Sequence, residues 1–130
     1  MEKRNPRTKS GWRDYLDEIA SFIVRSRGKC ERCGSKKELQ CCHIHTRRYN
    51  ETRWWMKNLM CLCAPCHRYF HDHPIELDKF VRETYGSERP AELWERLRHS
   101  RVWWEGEYKK VADELWNEYD TSQQNKTTRK

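Results

Sequence analysis

Cys30-Glu-Arg-Cys33 and Cys63-Ala-Pro-Cys66 bracket a segment that carries His43, His45 and Asn58. Each Cys-x-x-Cys presents two thiolates from one tight turn. Two such turns thirty residues apart supply four ligands at a spacing that suits one tetrahedral zinc ion, provided the fold brings the turns together. Cys61 could in principle replace Cys63, but the mirrored two-residue spacing favours Cys63. Cys41 and Cys61 read as small core residues in neighbouring strands. Four thiolate ligands close the coordination shell, so this zinc is structural and does not activate water.

A zinc of this kind matters because the rest of the chain is poor in core. It has 130 residues with a hydrophobic content of 35%, enough for one domain with a helical appendage but not for a large apolar interior. A structural zinc contributes on the order of 10 kcal/mol to such a fold. Seven cysteines, an odd number, and no apolar signal segment after Met1 argue against a disulfide framework and predict a reducing cytoplasm. No run approaches the apolar length of a membrane span. The net charge of +7 favours a polyanionic partner.

Along the chain, residues 1–10 are basic without hydrophobic period and read as a flexible arm. From Trp12 to about Val24, the positions Trp12, Tyr15, Leu16, Ile19, Phe22 and Ile23 recur at helical spacing, and Gly28 ends the pattern. Glu38 to His45 reads as a strand in which Leu39, Cys41, His43 and His45 share a face. Pro65 and Pro74 bound a short helix from about Pro65 to His73, with His67 and His71 four apart on one side. Further helical patterns run through Leu77–Tyr85, Leu93–Leu97 and Tyr108–Tyr119. The resulting organisation is an α+β fold: a core domain over 11–75 with its N-terminal helix, a helical extension over 76–119, and a disordered polar tail over 120–130.

The histidines suggest chemistry. Hydrolysis of a phosphodiester needs a base to activate water, positive charge on the phosphoryl oxygens and stabilisation of the leaving alkoxide. A neutral His43 suits the base, a divalent ion on His67 and His71 would supply the charge, and Asn58 is placed to orient the base. Since the first metal is closed, catalysis requires this second one.

The ordered set CxxC, His43, Asn58, CxxC-His67 and His71 resembles the zinc-containing HNH, or ββα-metal, endonucleases over roughly Cys30 to His71, about a third of the chain. The run from His43 to Trp54 also resembles the NinG (Rap) phage recombination nucleases, which act on branched DNA. The resemblance implies a zinc-stapled ββα-metal core flanked by helices. It implies His43 as general base, Asn58 as the central asparagine, and His67 with His71 as ligands of one catalytic divalent ion such as Mg²⁺ or Mn²⁺. It further implies cleavage to 5′-phosphate and 3′-hydroxyl ends, in phage or mobile-element DNA processing within a bacterial host. Two positions depart from these patterns. Cys42 stands where many HNH enzymes carry aspartate or histidine: either a thiolate there favours softer ions, or Cys42 is packed inside and His45 or water completes the shell. His67 stands where NinG-like proteins tend to have asparagine.

Arg47, Arg48, Arg53 and Lys57 lie between the base and Asn58, interleaved with Tyr49, Trp54 and Trp55. They are expected to hold duplex or branched DNA by its phosphates, with the rings available for stacking on unpaired bases. His73 and His99 read as surface residues. The tryptophan-bearing C-terminal stripes read as packing or as a homodimer face. Two other functions fit parts of the pattern: a non-catalytic zinc module that binds nucleic acid through the same loop, and a protein-interaction adaptor that docks through the tryptophan helices.

Overall fold

In the computed structural model, which describes residues 1–128, the chain is α+β, with six α-helices and one two-stranded antiparallel sheet among the described residues. It divides into two compact units, Met1–Ile23 with the chain from Val102 onward, and Val24–Arg101. The sequence placed a boundary near residue 75. The structure instead keeps the two helices that follow this point in the same unit as the cysteine knuckles. No helix among the described residues is long and apolar enough to cross a membrane.

Helix α1, Lys9–Arg25, supplies most of the first unit's N-terminal part. Thr8 starts it: its Oγ1 accepts the Gly11 N–H at 3.0 Å and its carbonyl accepts the Trp12 N–H at 2.9 Å. Its apolar positions Trp12, Tyr15, Leu16, Ile19 and Ala20 are buried. Helix α6, Glu105–Thr128, buries Tyr108, Ala112, Leu115 and Trp116. Within this unit the Trp116 indole donates to the Tyr15 hydroxyl at 3.1 Å, and Phe22 lies 5.2 Å from the Tyr119 ring. The stretch expected as a flexible arm is engaged here too. The Arg4 N–H donates to Tyr15 Oη at 2.9 Å, and the Arg4 guanidinium pairs with Glu18. The expected disordered tail is helical as far as Thr128; its last two residues lie outside the described residues.

The second unit takes in the last residues of α1, and Gly28, at φ +90°, makes the left-handed turn that follows the helix. Its sheet pairs β1, Leu39–His43, with β2, Leu59–Cys63, in the register Leu39↔Cys63 through His43↔Leu59. Between the strands, the chain forms helix α2, Asn50–Arg53, and a 3₁₀ turn, Met56–Asn58. Helix α3, Ala64–Asp72, follows β2 directly, then α4, Pro74–Tyr85, and α5, Arg89–Arg98. Proline near the start of each of these three helices costs no intrahelical hydrogen bond.

Every residue of β2 is buried. Met60 and Leu62 join Cys42 of β1, Phe70 of α3 and Val81 of α4 in a core that also contains Cys30, Cys63 and Cys66. A two-stranded sheet is marginal alone, so this core and the cysteines are what hold it. The strand expected to reach His45 stops at His43. His45 lies in the turn beyond, outside the alternation that would have put it on the His43 face.

Candidate functional site

The cysteine knuckles converge. The sulfurs of Cys30, Cys33, Cys63 and Cys66 all lie within 4.8 Å of one another, with Cys33 and Cys63 3.6 Å apart. A tetrahedral ion with metal–sulfur bonds of about 2.3 Å requires sulfur–sulfur edges of about 3.8 Å, so the cluster has the size of a four-thiolate metal site. Cys61 is not among these four, which decides the assignment in favour of Cys63. Gly34, at φ +79°, completes the first knuckle by donating its N–H to the Cys30 carbonyl at 2.9 Å. The second knuckle joins the last residue of β2 to the first turn of α3.

Charge explains why the cluster suits a cation. Burial raises the Cys30 thiol, but the backbone N–H groups around it outweigh burial and bring it to about 6. Burial pushes Cys66 up to about 12, opposed by Arg32 and reinforced by the three neighbouring thiols. Cys30 therefore ionises readily and Cys66 does not, chiefly because burial disfavours a second charge there and the neighbouring thiols hydrogen-bond its neutral form. A bound divalent ion removes that conflict and leaves a residual negative charge. Arg32 faces this charge, with Nη1 3.5 Å from Cys66 Sγ and its guanidinium 4.1 Å from the centre of the Tyr69 ring.

Glu31, between the knuckle cysteines, anchors the turn. Its carboxylate accepts the Cys61 N–H, the Tyr85 hydroxyl and an Arg27 N–H. It thereby ties the first knuckle to β2 and α4, a role that the sequence did not signal.

His43 ends β1, and its Nε2 lies 3.0 Å from the Arg53 carbonyl. A carbonyl can only accept, so Nε2 carries the proton and the basic lone pair belongs to Nδ1. Asn58 is fully buried and grips the turn after His43 rather than the ring: Oδ1 accepts the His45 N–H at 2.7 Å, and Nδ2 donates to the His45 carbonyl at 3.1 Å. The Ile44 N–H donates to the Asn58 carbonyl at 2.8 Å. The asparagine thus orients the loop, and the Arg53 backbone orients the His43 ring. Asn58→Ala leaves two main-chain groups of His45 without these partners and is expected to destabilise the protein by about 2–4 kcal/mol, read by urea denaturation.

The His45 ring stands edge-on to Trp94 at 5.5 Å, and burial holds its imidazole below the ordinary 6.5. The folded protein therefore takes up this proton less readily than the unfolded chain does. Stability from this source is complete above pH 6.5 and declines as the pH falls through that value. Burial and the neighbouring His71 lower His67 in the same sense. Melting curves are expected to fall on acidification through pH 6.5, with a shallower fall in His45→Gln.

His67 and His71 share one side of α3, and His67 Nδ1 lies 2.8 Å from the Gln40 side-chain oxygen. This hydrogen bond leaves the lone pair on His67 Nε2, the arrangement usual for a metal-binding histidine. Cys42 faces inward, where burial pushes its thiol up to about 12, so it is a core residue rather than a soft ligand. Among the described residues, the four-cysteine cluster alone gathers three or more histidine, cysteine or acidic donors.

Arg47 and Arg48 are exposed on the loop that follows. Arg53 donates to the Arg47 carbonyl at 3.2 Å, while Lys57 pairs with Glu92 of α5 at 2.7 Å. The rings divide in the same way. Tyr49 is exposed, Trp54 is buried, and Trp55 lies beneath the Arg96 guanidinium at 4.2 Å. The loop therefore offers Arg47, Arg48 and Tyr49 outward and uses Trp54 and Trp55 for packing. Comparison with known protein families, with characterised proteins and with solved structures found no match to this chain.

Proposed function

We propose that this protein is a divalent-metal-dependent DNA endonuclease of the HNH kind, with a structural zinc in the four-cysteine cluster. The observation that carries the reading is the hydrogen bond from His43 to the Arg53 carbonyl. It gives one histidine a fixed tautomer and angle at the end of a strand, with two more histidines on the helix that follows the hairpin.

In this reading the strand, strand, helix order corresponds to a ββα-metal core. His43 Nδ1 removes a proton from the attacking water. Arg47 and Arg48 hold phosphates beside the scissile bond, and Asn58 keeps the loop in register. His67, braced by Gln40, and His71 would hold a divalent ion, which when bound would supply positive charge to the phosphoryl oxygens. Strand cleavage of plasmid and branched DNA in Mg²⁺, Mn²⁺ or chelator, with His43→Ala as the control, tests the reading.

A second reading has its own support. Because Cys42 is interior and, among the described residues, no third side-chain ligand joins His67 and His71, a zinc module that binds nucleic acid without cutting it fits the same surface. Both readings place DNA on the loop. Replacing Arg47 and Arg48 with alanine is expected to weaken binding at low salt. The slope of log affinity against log salt should flatten by about 0.9 for each phosphate that is no longer neutralised. Fluorescence anisotropy across a salt series measures this.

A further inference from the structure

We infer that Cys41 and Cys61 form an oxidisable cross-strand pair, a site of reversible disulfide formation distinct from the four metal-binding cysteines. The inference rests on strand geometry and stands whether or not the protein is a nuclease. The two residues are direct partners in the antiparallel register. Hydrogen bonding on either side fixes the type of pair: Ile44 donates to Asn58 and Ala64 donates to Glu38, so the bonded rungs alternate from these and fall on Gln40↔Leu62 and Cys42↔Met60. Cys41↔Cys61 is therefore a non-hydrogen-bonded rung.

An independent observation agrees. Both main-chain groups of Cys61 turn away from β1 to Glu31: the N–H donates to its carboxylate, and the carbonyl accepts its N–H at 2.8 Å. At a non-hydrogen-bonded rung the Cα atoms lie about 4.5 Å apart with side chains on one face, inside the range of about 4.4–6.8 Å that a disulfide spans. The neighbouring Cys42 has Met60 opposite it and points to the other face, so it is not a competitor.

Cys41 is partly exposed and Cys61 is buried, which sets the order of events. Hydrogen peroxide oxidises the Cys41 thiolate to a sulfenic acid, with its O–O bond cleaved and the second oxygen leaving as water. The Cys61 sulfur then attacks the Cys41 sulfur, the S–S bond forms, and the sulfenic oxygen departs as a second water. Overall, two thiols and one hydroperoxide give one disulfide and two molecules of water when the oxidant is hydrogen peroxide. A dithiol reverses it. The bridge would lie on the face of β1 that carries His43.

The test treats the zinc-loaded full chain with hydrogen peroxide, then alkylates it under denaturing conditions and sequences the fragments by mass spectrometry. The expected product retains zinc, is two hydrogens lighter before alkylation, takes up five alkyl groups on its seven cysteines, and contains a fragment in which Cys41 is joined to Cys61. Fragmentation within the peptide distinguishes Cys41 from Cys42. Cys41→Ser and Cys61→Ser, each with wild-type zinc content and circular dichroism, should abolish the bridge. If Cys61→Ser fails to fold, the half-buried Cys41→Ser decides alone. Linkage through Cys42 or a knuckle cysteine, oxidation that proceeds only in step with zinc loss, or sulfinic acid at Cys41 without a bridge would each overturn the proposal.

Discussion

Removing the metal from the four-cysteine cluster is expected to unfold the 24–101 unit. The cluster joins the turn after α1, the end of β2 and the start of α3, and three of its cysteines sit within the unit's core. Without the ion, the hairpin keeps only a few strand bonds and a small apolar interior. Zinc contributes on the order of 10 kcal/mol in comparable sites, whereas a whole domain is stable by about 5–15 kcal/mol. Chelation, or Cys63→Ser, should therefore abolish the cooperative thermal transition of this unit, seen as loss of dispersion in the NMR spectrum. Stoichiometric zinc should restore the chelated wild type and not the mutant. A chelated protein that melts at an unchanged temperature would show that the apolar core suffices and that the cluster is incidental.

The second large effect concerns chemistry. His43→Ala is expected to lower metal-dependent cleavage by about 10²- to 10⁴-fold, the usual contribution of a positioned base, with zinc content and melting temperature close to wild type. The side chain is only partly buried and is held through a hydrogen bond to a carbonyl, so its loss should cost little stability. His67→Ala is expected to raise the concentration of metal ion needed for half-maximal rate, a different signature from loss of the base. If wild type binds DNA but cuts neither plasmid nor branched substrate in Mg²⁺ or Mn²⁺, the non-catalytic binding module becomes the better account. If His43→Ala cuts as well as wild type, another group serves as the base.

Much of this architecture is legible in the sequence because it rests on local rules. Cysteine spacing identifies the four thiols that converge, and apolar periodicity identifies α1 and α4 within a few residues and the first part of α6, whose polar end to Thr128 carries no apolar period and reads as disordered. Pro65 marks the start of α3 and Pro74 the point where it stops. What escapes is held by groups that carry no local signal. The carbonyl that orients His43 belongs to Arg53, whose side chain suggested only phosphate binding. Asn58 is identifiable as important, but its target, the backbone of His45, depends on where β1 stops. Lys57 reads as a DNA contact until Glu92, thirty-five residues later, folds against it. Trp54 and Trp55 read as stacking surfaces, although burial and Arg96 claim them. Composition does not distinguish the interior Cys42 from a ligand; only its strand partner Met60 and the surrounding core do so.

The loop between the strands leaves and rejoins the sheet at a single rung, Ile44 with Asn58, and Asn58 clasps His45 immediately inside it. The strand register is closed off at that clasp, while the chain from Asn50 to Asn58 is anchored by its own helical turns. The four residues Thr46 to Tyr49 thus form an exchangeable tip. New side chains or a longer span could be installed there with the strand register, His43 and the four-cysteine cluster left in place.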